Sequence, residues 1–440
     1  MKRIAAAICV TMAFTARAAL GSTESERSVA QLRTQSRAAA SGTVDAAYHN
    51  PAGLVGLEKG FHIDAGYRIM AKTAAWSMAY TGGKDEAGSW FIPSFAAVYR
   101  GGEGALFVSF FMPEGVEFID HRKPVGGMPL PAYFSLGLDS FQMETLRNAG
   151  LTLSLGGVEL PVISYVKAYG YWLKGNLGGA FSLHDYVAFA GGISCGYYEG
   201  SRSAGVVGLG TVDRVDVNAL GWSGFAGLML GPPDRSVLSI VYSTRLIAKG
   251  TERNVKYHYS RIMERRIPDS LSIGLNIKSS EGASLQLSYR VDFTGERGFG
   301  TRNILTKSHE FSYFDWAAAV LGAPALSLMP LVASGNAENY KHRHRHGIGV
   351  GVEFEVSGFA PGIGISYTTQ EKYPRAQNPF DPDLARIGVG MGVKIRASEG
   401  VSIESGTAYY FFITDRMLFD SIKLNKSAWT WGVSVTIRAG

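Results

Sequence analysis

The chain has 440 residues, and Asp, Glu, Lys and Arg make up only 18 % of it, against roughly a quarter in an ordinary soluble domain. Apolar residues stand at 46 % and glycine at 55 residues, so the missing charge is not replaced by extra core; this argues against a soluble enzyme and against a disordered chain. A formal charge of +6, which removal of Lys2, Arg3 and Arg17 with a leader would lower to +3, is too weak and scattered for phosphate binding, so nucleic acid is not an expected partner.

In chain order, Lys2 and Arg3 form a short basic opening, residues 4–14 an apolar stretch too short to span a bilayer, and Ala16-Arg17-Ala18 a small-residue cleavage site. Residues 1–18 are therefore expected to be a cleaved signal peptide; Cys9 stands too early in the apolar stretch to favour a lipid-modified cysteine. The only other cysteine is Cys195, so the exported chain has no intrachain disulfide. Residues 19–60 run polar, then alanine-rich at 37–40, and end in Asn50-Pro51-Ala52-Gly53. Pro51 fixes φ and removes a donor while Gly53 permits φ > 0, so this stretch reads as a rigid turn ahead of the first strand.

From residue 61 the dominant signal is a period of two. Phe61, Ile63, Ala65, Tyr67 and Ile69 alternate with His62, Asp64, Gly66, Arg68 and Met70, and later segments repeat the pattern. Each strand thus has one greasy face and one polar or glycine face. The expected strands are 61–80, 91–100, 103–111, 165–181, 187–198, 215–230, 236–246, 270–278, 284–293, 347–356, 362–368, 386–396, 401–411 and 429–438. They number 14, and their connections alternate short and long. Short turns at one end, long loops at the other and both termini on the short-turn side mark a bacterial outer-membrane barrel; a soluble sandwich has no reason to segregate loops by end. The expected fold is all-β, a transmembrane antiparallel 14-stranded barrel over 61–440, with 19–60 long enough to plug its lumen.

Candidate sites follow from departures within this pattern. Residues 105–111 (ALFVSFF) are apolar on both faces, so Leu106, Phe107, Val108 and Phe110 would give the lumen an apolar wall suited to an acyl chain, or would pack that strand against the plug. Lys278 and Arg290, on lumen-side positions, are candidates to pair with a carboxylate, with Asp292 a competing partner for Arg290. Residues 316–333 are apolar over the length of a membrane helix, but Pro324 and Pro330 argue against one. They fall in an outer loop, where Trp316, Val320, Leu321, Leu326, Leu328 and Met329 would form a ligand-collecting groove; a loop cap with its own small core is the alternative.

Chemistry beyond binding is not expected. His342, His344 and His346 share a strand face, but the interleaved Arg343 and Arg345 and the lack of acidic or Cys ligands favour an anion-binding rim over a metal, and no cofactor is expected. Gly192-Ile193-Ser194-Cys195-Gly196 fits G-x-S-x-G, yet it lies inside a strand with no following helix, so no nucleophile elbow forms. Gly347, Gly349 and Gly351, like Gly388, Gly390 and Gly392, alternate along strands as small lumen-facing positions rather than as a dinucleotide fingerprint. No catalytic constellation emerges, and an enzyme is not expected.

The stretch Asp45-Ala46-Ala47-Tyr48-His49-Asn50-Pro51-Ala52-Gly53-Leu54 resembles the hatch motif of the long-chain fatty-acid transporter (FadL-type) family of outer-membrane proteins. Pro93-Ser94-Phe95 through Tyr99 with Pro113-Glu114-Gly115 is similar to that family's second and third strands. Ile267-Pro268-Asp269-Ser270 resembles its Pro-initiated strand, and Asp381-Pro382-Asp383-Leu384-Ala385-Arg386 its last-third loop. The resemblance implies 14 strands with an N-terminal hatch over 19–60, held in shape by Asn50, Pro51, Ala52 and Gly53. It also implies passive uptake of hydrophobic ligands: capture among outer loops, passage to a lumen pocket, and exit sideways through a gap beside a kinked third strand. The family's pocket charges do not align onto residues here, and the chain ends Ile437-Arg438-Ala439-Gly440 without the terminal aromatic many such barrels carry. The expected protein is a monomeric outer-membrane transporter of long-chain fatty acids or similar hydrophobic molecules, with outer-membrane lipids and the barrel-assembly machinery as its other partners. The alternative is an adhesin or structural barrel that binds host molecules through its outer loops.

Overall fold

The structure, a computed structural model, describes residues 27–78, 81–112, 116–121, 152–155, 158–161, 165–206, 210–254, 260–280, 282–294, 302–303, 343–371, 383–417 and 422–439. The expected signal peptide lies outside these residues. The chain opens with helices α1 (Val29–Thr34) and α2 (Ala46–His49) and a 3-10 turn at Pro51–Gly56. Strands follow as β1 (Gly60–Met78), β2 (Thr81–Arg100), β3 (Gly104–Phe111, resumed at Val116–His121), β4 (Tyr165–His184), β5 (Val187–Val206) and β6 (Gly210–Leu230). Next come β7 (Ser236–Ser243, resumed at Leu246–Asn254), β8 (Ser260–Ile267, resumed at Ser270–Lys278) and β9 (Ala283–Asp292). The last are β10 (Arg345–Phe354), β11 (Phe359–Thr368), β12 (Arg386–Ser398), β13 (Val401–Phe412) and β14 (Ile422–Ala439).

Each strand pairs antiparallel with its sequence neighbours, and β1 pairs with β14 as well as with β2, from Phe61 opposite Ala439 to Ser77 opposite Lys423. The sheet therefore closes into a 14-strand barrel. Alternation sorts the side chains. Leu106, Val108, Leu177, Ile193, Ile363, Ile365 and Met391 are exposed on the outer surface. Aromatic residues flank this band, with Tyr99, Phe181, Tyr186, Phe354 and Phe359 toward the short turns and Tyr169, Tyr367, Tyr409, Phe411 and Trp429 toward the other end. An apolar band between aromatic girdles is what a strand wall presents to lipid. No helix among the described residues is long and apolar enough to cross a membrane.

The short turns have the backbone chemistry that tight reversals need. Gly231 and Gly282 take φ of 101° and 83°, and Ser357-Gly358 takes 50° and 82° between β10 and β11. At the other end several strands run further than their alternation suggests. Residues 81–90, expected as a loop, belong to β2, and 247–254 and 260–267, also expected as loop, extend β7 and β8. Above the lipid band neither face of a strand need be apolar, so the period-two signal fades although the ladder continues. Thr251 Oγ1 donating to Asn218 Oδ1 at 3.0 Å across β6 and β7 shows such a polar pair.

The inner faces are small or polar, and residues 27–59 lie against them. Helix α1 meets β10 to β14 and β1, while the 3-10 turn meets β2 to β6, so one short segment touches opposite arcs of a closed wall and lies inside it. Glycines on the inner face admit it. A Cβ at Gly351 or Gly364 would collide with the Thr34 carbonyl, and one at Gly390 with the Leu32 carbonyl. On the other arc, Ala39, Ala46, Ala47, Tyr48, Ala52 and Leu54 share an apolar core with Ala96, Val98, Phe107, Phe111, Ala190 and Val237 of the wall.

Candidate functional site: the lumenal segment and a break in the wall

The lumenal segment is shaped by close backbone contacts around Asn50 and Gly53. The Asn50 side chain, fully buried, donates from Nδ2 to the Ala40 carbonyl at 3.1 Å, and Gly42 N donates to Gly53 O at 3.0 Å. A Cβ on Gly53 would strike the Ala40 carbonyl, so only glycine lets the 40–42 turn lie against it. Pro51 starts the 3-10 turn, where its missing N–H costs nothing. Arg37 adds a bidentate pair to Asp45, Nε to Oδ2 at 2.8 Å and Nη2 to Oδ1 at 2.6 Å. Burial alone would raise the Asp45 carboxyl, but the Arg37 guanidinium holds it well below the usual carboxylate range.

Polar ties fix the segment to the wall. Arg33, almost fully buried, forms ion pairs with Glu353 of β10 and Glu404 of β13, each at 2.7 Å, and donates to the Ala360 carbonyl of β11 at 3.2 Å. On the opposite arc Ser194 donates to Asn176 (2.7 Å), Asn176 to Ser109 (3.1 Å) and Ser109 to the Ala47 carbonyl (3.4 Å). The serine of the G-x-S-x-G stretch is thus part of a relay from β5 through β4 and β3 to the segment. At the short-turn end Arg100 Nε donates to the Val55 carbonyl at 3.0 Å, beside a cavity of about 320 Å³.

The wall itself is interrupted between β2 and β3. Their ladder runs from Arg100 opposite Ala105 to Ser94 opposite Phe111, and β3 beyond the break, Val116–His121, pairs with β4. Phe111 faces Lys174 and Val116 faces Tyr171, so five steps along β3 are matched by three along β4 and β3 carries two extra residues. On β2 the ladder ends next to Pro93, which has no donor to offer, and the β1–β2 register slips where Arg68 opposite Ile92 gives way to Met70 opposite Ser89. Met70, Ile92 and Met112 form a buried apolar cluster at this break, and Tyr171 and Leu173 of β4 pack against it. Met70 and Ile92 lie on inward positions, Tyr171 and Leu173 on outward ones, so the cluster passes through the wall.

A cationic and aromatic patch stands next to it inside the barrel. Arg386, Phe412 and Lys426 occupy neighbouring inward positions of β12, β13 and β14, with Tyr410 and Lys72 two rungs nearer the short turns. The Arg386 guanidinium lies 4.9 Å from the Tyr410 ring centroid and the Lys426 ammonium 5.0 Å from that of Phe412. Arg386 Nη1 is buried and makes no hydrogen bond to the described residues. Tyr410 also packs on Leu32 of α1, so the lumenal segment forms the floor. Lys72 and Met70 are consecutive inward residues of β1, which makes the patch continuous with the cluster at the break.

The residues singled out from the sequence are distributed differently. Of the expected apolar wall, Phe107 faces the lumen and packs on the segment, whereas Leu106 (67 % exposed) and Val108 (44 %) face outward, with Phe110 on the same side. The stretch is apolar on both faces because one side meets lipid and the other the segment; it is not a continuous lumen wall. Lys278 and Arg290 both take inward positions but sit six rungs apart on the β8–β9 hairpin, roughly 20 Å. Lys278 Nζ donates to the Pro233 carbonyl at 2.6 Å, and Arg290 pairs with Asp292 at 2.7 Å, so both are engaged by the barrel itself. Trp316, Val320, Leu321, Leu326, Leu328 and Met329 lie outside the described residues, as does His342. Arg345 of the expected anion-binding rim is paired with Glu371 at 2.9 Å, and His346 Nδ1 meets the Tyr289 hydroxyl at 2.8 Å. The patch around Arg386 was readable only as inward parity: each residue is ordinary alone, and three strands bring them together.

No protein-family model matches the sequence, and no curated protein matches it. Solved structures do. A FadL homologue of Pseudomonas aeruginosa is similar at a TM-score of 0.67 and 12 % identity, over 95 % of this chain and 99 % of that one. The Pseudomonas putida toluene transporter TodX is similar at 0.60 and 12 %, with the same coverage. The Ralstonia pickettii toluene transporter TbuX is similar at 0.59 and 14 %, again over 95 % and 99 %. The chain therefore has the FadL-type barrel fold, in agreement with the resemblance seen at residues 45–54.

Proposed function

We propose that the protein is an outer-membrane passive transporter of hydrophobic molecules, and that its preferred cargo carries an anionic head, as a long-chain fatty acid does. The observation that carries the reading is the apolar cluster of Met70, Ile92 and Met112, which runs through an unpaired stretch of wall beside a buried cationic patch. Arg386, Lys426 and Lys72 would hold the carboxylate, and Tyr410 and Phe412 the adjoining methylenes. The tail would extend along β1 over Met70 and Ile92 to Met112, and the ligand would leave through the break between β2 and β3 into the lipid. Residues 27–59 act as the hatch, closing the straight path to water so that an apolar molecule moves sideways rather than through. That the solved neighbours include toluene transporters and a FadL homologue supports a hydrophobic cargo.

The test is uptake of a fluorescent long-chain fatty acid by vesicles or cells carrying the protein. Shortening β3 by the two extra residues between Met112 and Val116 would bring its register with β4 back into line and close the break. The shortened protein is expected to fold, to bind the fatty acid, and to lose uptake. Unchanged uptake would reject the sideways route.

A further inference from the structure

The lumenal segment holds a buried imidazole that the transport path does not use. His49 ends α2, and its Nε2 lies 3.0 Å from the hydroxyl of Ser28, which caps α1 by accepting from Gln31 N at 3.2 Å. This is a side-chain tie between the start of one helix and the end of the other. A backbone carbonyl completes the junction, since Arg27 donates from Nη1 to Tyr48 O at 2.9 Å while its guanidinium lies 5.7 Å from the Phe111 ring centroid. The junction thus rests on the last β3 residue paired before the break.

We propose that the Ser28–His49 contact is an acid-released tie: when His49 takes up a proton, the α1–α2 junction opens and the segment loosens from β3. This rests on the reading of the segment as a hatch. The groups facing His49 are Asp45 on its own helix, Arg37 in the preceding turn, and Arg68 on β1, with Asp64 of β1 reached through the Tyr48 hydroxyl at 3.4 Å. Burial holds the imidazole down to about 4; Asp45 pulls the other way, and Arg37 and Arg68 oppose it. Protonation makes both ring nitrogens donors and places a full positive charge in the buried junction, which opening relieves by returning it to water.

An opened junction returns His49 to water and an ordinary value near 6.5. The open form then binds the proton between those two values and the closed form does not, so stability of the closed junction is complete above about 6.5 and falls with acid. From pH 7 to pH 5 the open population rises roughly twenty-fold. Asp45 stays ionised over this range, so its pair with Arg37 holds and the opening is confined to the junction.

The experiment is hydrogen exchange of the full-length protein in detergent or nanodiscs from pH 7 to pH 5, corrected for intrinsic rates. Protection of the amides of 28–34 and 46–49 is expected to fall about twenty-fold in the parent, to stay flat in His49→Gln, and to fall as in the parent in Asp64→Asn. Flat protection in the parent overturns the proposal without any variant. So does a fall that survives in His49→Gln, or one that is lost in Asp64→Asn alone. Small-solute permeability on the same samples separates this from the hatch reading: exchange that rises in acid with no rise in permeability keeps the tie and rejects the hatch.

Discussion

The Phe111 ring stands edge-on to that of Tyr48, with centroids 5.8 Å apart and planes at 80°. Tyr48 belongs to α2 of the lumenal segment, and Phe111 is the last residue of β3 to pair with β2 before the wall breaks. The segment and the edge of the break are therefore one packed unit.

That contact predicts a coupled loss. Phe111→Ala removes a buried aromatic, at a cost of about 3 kcal/mol, and leaves Tyr48 without its ring partner. Amides of α2 are expected to lose protection and vesicles carrying the variant to leak small solutes. Phe111→Leu keeps most of the apolar burial and should leak far less. Equal leakage in both would assign the effect to the ring pair alone.

The glycines under α1 allow a steric test. In Gly364→Ala or Gly390→Ala the new methyl meets backbone carbonyls of Thr34 or Leu32, which cannot swing aside as a side chain would. The barrel is expected to assemble and keep its heat-modifiable migration on gels, while residues 27–59 become sensitive to protease. Gly102→Ala, whose added carbon would meet nothing, is expected to be neutral. Protease resistance in both clashing variants would mean the segment has another seat.

How much of this was legible depended on where a residue sits relative to lipid. Residues 270–278 and 284–293 read correctly as a hairpin because Leu271, Ile273 and Leu275, with Leu285 and Leu287, face the apolar side and nothing in that band relaxes the alternation. Residues 247–254 did not, since above the band Lys249, Thr251 and Arg253 can stand on the outer face and the strand loses its signature. The G-x-S-x-G stretch lies inside β5, as its alternation suggested, but the serine's part in the Asn176 and Ser109 relay is a property of three strands in register. The same holds for cations: Lys278 and Arg290 have inward parity like Arg386, and only the assembled barrel shows Lys278 bound to Pro233 and Arg290 to Asp292.

Arg33 predicts a cost larger than its size suggests. Arg33→Met removes the guanidinium that pairs directly with both Glu353 and Glu404, a loss of about 3–5 kcal/mol. Adding Glu404→Gln should recover part of it, because one of the two charges that lost this partner is removed. Protease resistance of residues 27–59 against denaturant is the measurement; a double variant no better than the single would show that Glu404 is adequately solvated without Arg33.

The cationic patch predicts discrimination by head group. Arg386→Gln removes a charge-assisted partner for a carboxylate worth about 1.5–3 kcal/mol, so affinity for a long-chain fatty acid should fall roughly 10- to 100-fold. Affinity for the alcohol of the same chain length should change little, since its tail contacts with Tyr410, Phe412 and Met70 remain. Lys278→Gln serves as the comparison, because Lys278 already donates to Pro233 at the far end of the barrel and should leave both affinities alone. Tryptophan fluorescence or calorimetric titration of both ligands against the three proteins gives the answer. Equal weakening toward acid and alcohol would mean Arg386 shapes the pocket without reading charge, and the preferred cargo would then be a neutral hydrophobe.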